Sequence, residues 1–394
     1  MLNKKIFLLI ILLISLIIVC GDSIFASDQE FPFDKLVVAN NEIGTAGHLI
    51  MSNVLEGISE KYPDAVIRSI PSGVEQARVY MVRTGQCDTA FGATFLSDTM
   101  REGTALYSSR EWGPQPVRHL WISKSPGKGF AVRGDSDIYT FDDLRGKKVA
   151  SFPTYPGSHL AMNAMLAFGG LTWDDVVPVE FGGHAESYRA VKDGRIDVTM
   201  FNTTAPAAYE LESIHGIRYL EMPIDDTEGW ARMLNYTKNY KPMIITTGAG
   251  GITKEKPIEL AVEGAPTFWA YDFLDEDIAY WIVKAIHESK EYYVKRDPNF
   301  EEDWSIDVFM NFWDTDSTPM HDGAIKYLKE IGYWTPEREQ MNKNRLAHEK
   351  ELKSLWDSVV EEAELQNISY KAFPEFWMEK REEAGFYWLK NIGS

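Results

Sequence analysis

ESYRAVKDGRIDVTMFNTTAP, residues Glu186 to Pro206, follows a grammar that the chain uses twice, the other copy being EQARVYMVRTGQCDTAFGAT, Glu75 to Thr94. Each copy begins with a helical pattern: Tyr188, Val191 and Lys192 lead to Gly194, while Val79, Val82 and Arg83 lead to Gly85. A glycine there suits the left-handed turn that ends a helix. Three residues on stands an aspartate, Asp197 or Asp88, followed by a short apolar run, Val198 to Phe201 or Thr89 to Phe91. Such runs fit a buried parallel strand and are too short for a helix. Small and hydroxyl residues come next. The loop past a strand's carboxyl end borders the ligand crevice of an open α/β sheet, so Ala93, Thr94, Asn202, Thr203 and Thr204 are expected to face ligand. The same order of helix, glycine, aspartate and strand also builds many α/β units that bind nothing. Two such units predict two similar lobes facing one another.

The chain of 394 residues is long for one core, so two lobes and an appendage are expected. A hydrophobic content of 44% supports globular packing. The net charge of -19, with no stripe of basic residues, argues against a nucleic-acid surface.

Lys4 and Lys5 precede an apolar run from Ile6 to Cys20 that reads as an export signal covering residues 1–26, with cleavage after Ala26 or Ser23. The run is shorter than a membrane span needs. The expected location is therefore periplasmic or otherwise extracytoplasmic. Cys20 is a candidate lipid anchor, although Val19 departs from the small residue that a lipoprotein signal carries there. With the signal removed only Cys87 is certain to remain, so no internal disulfide forms. Cys87 lies between a helix cap and a buried strand and reads as structural.

In chain order, Leu36 to Ala39 is a strand, and the turn Glu42 to His48 opens a helix through Leu49, Val54, Leu55 and Ile58. Its first amides, near Gly44, Thr45, Ala46 and His48, could hold a carboxylate or phosphate. The glycine spacing does not fit a dinucleotide fold. The strand Ala65 to Ile70 and the turn Pro71-Ser72-Gly73 bring Gly73 and Glu75 to a second helix start beside the same crevice. Val117 to Val132, interrupted by Ser125-Pro126-Gly127, reads as a first crossing between lobes. Gly157, Ser158 and His159 then open the helix Leu160 to Phe168, mirroring the Gly44 turn. Leu260 to Tyr271 reads as the return crossing, and Ile278 to Tyr293 as a helix back on lobe one.

The phrase Asp143 to Ala150, DLRGKKVA, resembles the entry to the second lobe of type II periplasmic binding proteins. Ser317 to Trp334, STPMHDGAIKYLKEIGYW, resembles the closing signature of the TAXI solute receptors of TRAP transporters. The Gly44 turn, the SGVEQAR segment, Gly85 with Asp88, and Asp193 to Asp197 match that family in the same order. The resemblance covers Leu36 to about Trp334. Gly47 and His48 stand where these receptors often carry a tyrosine pair, and Ala90 to Asp98 departs from the family's usual phrase.

The resemblance implies an α/β, two-lobed type II fold with a helical C-terminal extension. Its parts would be lobe one at 31–130, lobe two at 131–264, a return to lobe one at 265–334 and the extension at 335–394. It implies an extracytoplasmic, monomeric solute-binding subunit that captures a small organic acid or amino acid and hands it to TRAP membrane subunits. Candidate contacts are Gly44, Thr45, Ala46, His48, Gly73, Glu75, Thr94, Gly157, Ser158, His159, Asn202 and Thr203. The histidines show no metal spacing, and nucleophile-elbow and phosphate-loop patterns are missing, so neither cofactor nor catalysis is expected. An exported lyase or transferase on the same fold, and a receptor for a membrane sensor, are the alternatives. In the extension, Leu352, Trp356, Val359 and Ala363 fall at helical spacing and predict an amphipathic helix on the body, followed by Phe373, Phe376, Trp377, Phe386, Tyr387 and Trp388.

Overall fold

The computed structural model describes residues 34–386. The expected export signal with its expected cleavage points, Cys20, Tyr387 and Trp388 lie outside the described residues.

Among the described residues eleven strands form one connected sheet: β1 Leu36–Asn40, β2 Ile67–Pro71, β3 Thr89–Gly92, β4 Val117–Lys124, β5 Lys128–Arg133, β6 Lys148–Ser151, β7 Val177–Glu180, β8 Val198–Asn202, β9 Ile217–Tyr219, β10 Tyr240–Ile245 and β11 Ile258–Tyr271. The two lobes repeat one order. Lobe one runs β2-β1-β3-β11 and lobe two runs β7-β6-β8-β5; the first three strands of each are parallel and the fourth is antiparallel to them. Strand β1, LVVAN, is buried along its whole length, as a parallel strand covered on both faces must be.

The duplicated grammar has a structural cause. Asp88 Oδ2 accepts from the Val37 N–H at 2.7 Å while the Asp88 N–H donates to Val37 O at 2.9 Å. Asp197 does the same to Lys148, with the same two distances. Each aspartate thus ties the start of its own strand to the neighbouring parallel strand. Gly85 and Gly194, at φ +71° and +69°, make the left-handed turn that delivers it.

Two segments join the lobes. Strand β4 belongs to lobe one and β5 to lobe two. Strand β11 serves both: Ile258 to Glu263 pairs with β10, and Thr267 to Trp269 pairs with β3. The helix Thr227–Leu234 and strand β10 had no counterpart in the sequence reading.

The extension is a helix Pro336–Leu365 followed by a helix Phe373–Glu383, and it docks on lobe one. Leu352, Trp356, Val359 and Ala363 are buried as expected, together with Phe373 and Trp377. Arg118 grips Glu349 with two bonds of 2.7 and 2.9 Å, and Trp377 Nε1 donates to Gly103 O at 2.7 Å. Trp356 lies so close to Gly113 that a Cβ there would come within 2.5 Å of it. The helix Asp322–Glu330, within the closing signature, packs on the helix Glu276–Glu288 through Gly323, where a Cβ would lie 2.2 Å from Glu276 O. Cys87 is buried, and burial pushes its thiol up to about 11, which fits a structural residue.

Candidate functional site

A cavity with about 1200 Å³ of free space, counting the solvent at its mouth, lies between the lobes and is walled at the back by Ser125, Pro126, Lys128, Glu263, Ala265 and Pro266 of the crossing segments. Several helices aim their first turns at it: Ala46–Lys61, Glu75–Arg83 and Thr94–Glu102 from lobe one, and Pro156–Phe168 and His184–Lys192 from lobe two. Their positive dipole ends offset the carboxylates of Glu42, Glu75 and Glu263 in the lining.

Lobe one supplies charge. Arg78 is 2% exposed; it donates to Ser72 O at 2.7 Å and reaches across to the Tyr155 hydroxyl of lobe two at 3.4 Å, while its Nε has no partner. Glu75 lies one turn before it on the same face. Burial raises the Glu75 carboxyl to about 7, with Arg78 pulling the other way. Glu75 also approaches the opposite lobe, since a Cβ on Gly157 would sit 3.2 Å from its Oε2.

The helices of lobe two supply neutral polar and aromatic groups. His184 Nε2 and Ser158 Oγ are 2.7 Å apart, and the His184 ring stacks on Tyr188, which stacks on Phe201. Burial, helped by Lys128, pulls the His184 imidazole down to about 4, so it is neutral at physiological pH. His184 Nδ1 and Asn202 Oδ1 are buried without partners. Arg78, His184 and Asn202, residues of both lobes that line one space, thus each carry a buried polar atom without a partner. At the back, Lys128 is ion-paired with Glu263.

Of the residues expected from sequence, Thr45, Ala46, Glu75, Gly157, Ser158 and Asn202 line this cavity. Gly44, His48, Gly73, Thr94, His159 and Thr203 do not. Gly44 and Gly73 are exposed on turns outside it, and His48 is half-buried on the helix beyond Gly47. Thr94 turns its hydroxyl to Asn239 at 2.8 Å, in a different cavity. His159 is rotated about 100° from Ser158 by the helix and stacks on Trp173. Thr203 is fully buried and donates to Thr247 O at 3.1 Å. Arg78 and His184 were missed, although each had a signal: Arg78 is three residues past Glu75, and His184 four before Tyr188. Lys128 and Glu263 had none, because only the β5–β11 pairing brings them together.

Solved structures that the chain matches include the alkanesulfonate-binding protein SsuA of Xanthomonas axonopodis pv. citri bound to MOPS, at 12% identity and a TM-score of 0.42, covering 79% of this chain and 84% of that one. The periplasmic aliphatic sulphonate binding protein SsuA of Escherichia coli gives 14% and 0.43, with coverages of 80% and 94%. The substrate-binding protein of an amino acid ABC transporter gives 12% and 0.38, with 71% and 99%. The profile of the NMT1-like family matches residues 49–332, and the chain belongs to that family.

Proposed function

We propose that this protein is an extracytoplasmic solute-binding subunit of a TRAP-type transporter that takes a small organic acid or amino acid between its lobes. The observation that carries the reading is the inter-lobe cavity whose lining residues Arg78, His184 and Asn202, each with an unsatisfied polar atom, come from both sides. An acid group of the solute would lie on Arg78 and on first-turn amides such as those of Gly47 and Gly157. The neutral end would meet the His184, Tyr188 and Asn202 side. The TRAP partner rests on the likeness of the Ser317 to Trp334 segment to TAXI receptors.

The Ser158–His184 contact invites the enzyme alternative, since a serine and a histidine at 2.7 Å are a nucleophile and base in other settings. Here the histidine has no carboxylate on Nδ1 to orient it, and an imidazole held near 4 is a weak base at neutral pH. The contact serves better as a fixed, neutral wall.

A thermal-shift screen of the purified protein against organic acids and amino acids tests the reading. A solute at a hundredfold its dissociation constant adds about 2.7 kcal/mol of stability. At the same solute concentration the stabilisation should fall to about half or less in Arg78→Gln. A screen with no stabilising compound in either class overturns the solute assignment, and chemical conversion of the bound compound overturns the binding role in favour of the enzyme.

A further inference from the structure

A second cavity, with about 870 Å³ of free space, shares no lining residue with the first. It forms where the helix Thr94–Glu102 of lobe one, the segment Lys238 to Lys241 of lobe two, the end of the helix Ile306–Thr315 and the extension helix Pro336–Leu365 meet. We propose that it is a separate binding site for a small oxyanion, a phosphate or a carboxylate, held between Arg101 on one lobe and Lys238 and Lys241 on the other.

Arg101 is 4% exposed and lines this cavity, yet its Nε has no hydrogen-bond partner. Its one carboxylate contact, Glu102, is shared: the same carboxylate takes Arg381 at 2.6 Å and His348 at 2.9 Å. So deep a guanidinium, which shares its ion-paired carboxylate with Arg381 and is otherwise attracted through space to Asp98 and Asp316, keeps an Nε donor unused. Lys241 lies over the Phe312 ring at 4.5 Å, an arrangement that stabilises a cation without neutralising it. Lys238 is exposed at the edge of the same space.

The acidic groups that face the cavity are already engaged. Asp98 accepts from Ser317 Oγ and from Asn239 Nδ2, the latter at 3.1 Å, and Asp316 accepts from the Thr318 N–H at 2.7 Å. Both are buried, which raises Asp98 to about 7 and Asp316 to about 6, and for Asp98 the nearby Asp316 adds to the rise. They therefore carry less than two full charges at neutral pH. Arg345 lies near Asp316 and Asp98, and Arg381 is paired with Glu102, so each acid that lines the space already has a basic neighbour. An oxyanion would accept from Arg101 Nε and from the two ammonium groups. It would also sit beside the Asn239 amide, which already ties lobe two to Thr94 and Asp98 of lobe one.

The test is calorimetric titration of the purified protein, in low-salt buffer, with inorganic phosphate, sulfate and succinate in separate runs. The expected result is a saturable site for at least one of them that is weakened tenfold or more in a Lys238→Gln/Lys241→Gln double variant and unchanged in Arg78→Gln, any further, Arg78-dependent succinate binding belonging to the inter-lobe cavity. The lysine pair is chosen because Lys238 is exposed and Lys241 half-buried, so the variant should keep its fold; a thermal melt superimposed on that of the parent confirms it. Arg101→Gln should abolish binding. Preference for the inorganic anions or for succinate tells a phosphate-type ligand from a carboxylate. No saturable binding of any of the three, or equal binding in the double variant, overturns the proposal; loss of all binding in Arg78→Gln overturns it too, by placing the anion in the inter-lobe cavity.

Discussion

The two copies of the helix-glycine-aspartate-strand unit share a scaffold and differ in what they present. In lobe one the helix puts Glu75 and Arg78 into the cavity; in lobe two the corresponding helix puts His184 and Tyr188 there. The strand ends differ in the same way, Phe91 to Ala93 against Met200 and Asn202. Meanwhile the aspartate bridges that hold each unit to its neighbour agree to a tenth of an ångström. The duplicated residues build the frame, and the residues that differ set the chemistry. In the proposed reading the helix of lobe one is the charged anchor and that of lobe two a neutral cover, with the Lys128–Glu263 pair of the crossing strands behind them.

That contrast can be broken most directly through affinity. Arg78→Gln removes a charge-assisted donor from the anchor and should weaken solute binding by about 1.5–3 kcal/mol, a loss of roughly 10- to 150-fold. An affinity within twofold of the parent, measured by calorimetry with the solute found in the screen, would place the anchor elsewhere.

The aspartates sharpen the comparison of the frames. Asp88→Ala leaves the N–H of Val37, a 7%-exposed residue, without its carboxylate, and should cost about 1–3 kcal/mol of unfolding free energy. Asp197→Ala frees the N–H of Lys148, an exposed residue that water can reach, and should cost less. Equal losses in urea melts would show that the frames bear equal weight despite their different exposure.

On the cover side, Ser158→Ala removes a neutral hydroxyl from the lining and should weaken solute binding by about 0.5–1.5 kcal/mol. Thr203→Ala, whose hydroxyl is spent on Thr247 O, should leave affinity unchanged and lower only stability. A binding defect in Thr203→Ala of the same size as in Ser158→Ala would extend the site past the strand end.

The smallest effects are in the pH profile, and the lobes should pull in opposite directions. Burial raises Glu75 in the folded state, so the folded protein binds this proton more tightly and stability falls as pH rises from about 4.5 to about 7. Glu75→Gln should flatten that limb. Burial lowers His184, so the unfolded chain binds its proton more tightly and stability falls as pH drops from about 6.5 to about 4. His184→Gln should flatten this second limb. Thermal melts across pH 4 to 7.5 that show the same slope change in both variants would refute the assignment.

The sequence made the frame readable because its signals are local. Gly85 and Gly194 mark helix ends, and the apolar runs after Asp88 and Asp197 mark strands. Half of the expected site was displaced for a simple geometric reason: a loop's address at a strand end does not say which way a side chain points. Ser158 and His159 are neighbours, yet one lines the cavity and the other stacks on Trp173. The segment Ser317 to Trp334 serves packing: His321 caps the helix Asp322–Glu330, and Gly323 lets it press on a neighbour. Lys128 and Glu263 stayed hidden because 135 residues separate them and only the crossing strands bring them into contact.

The strand shared by both lobes also sets an order of events for a chain that emerges amino end first. Every strand of lobe two falls between Lys128 and Glu263, so that lobe's sheet can close on itself as soon as those residues are available. Lobe one cannot: Val117 must wait for Tyr271, and β3 keeps an open edge until Thr267 to Trp269 arrive. During that interval the half-built lobe offers unpaired backbone donors and acceptors next to Phe91, a template to which another chain could add. The amino-terminal lobe, made first, is thus the last to be finished, and the interval before β11 is when the nascent protein most needs shelter from its own copies.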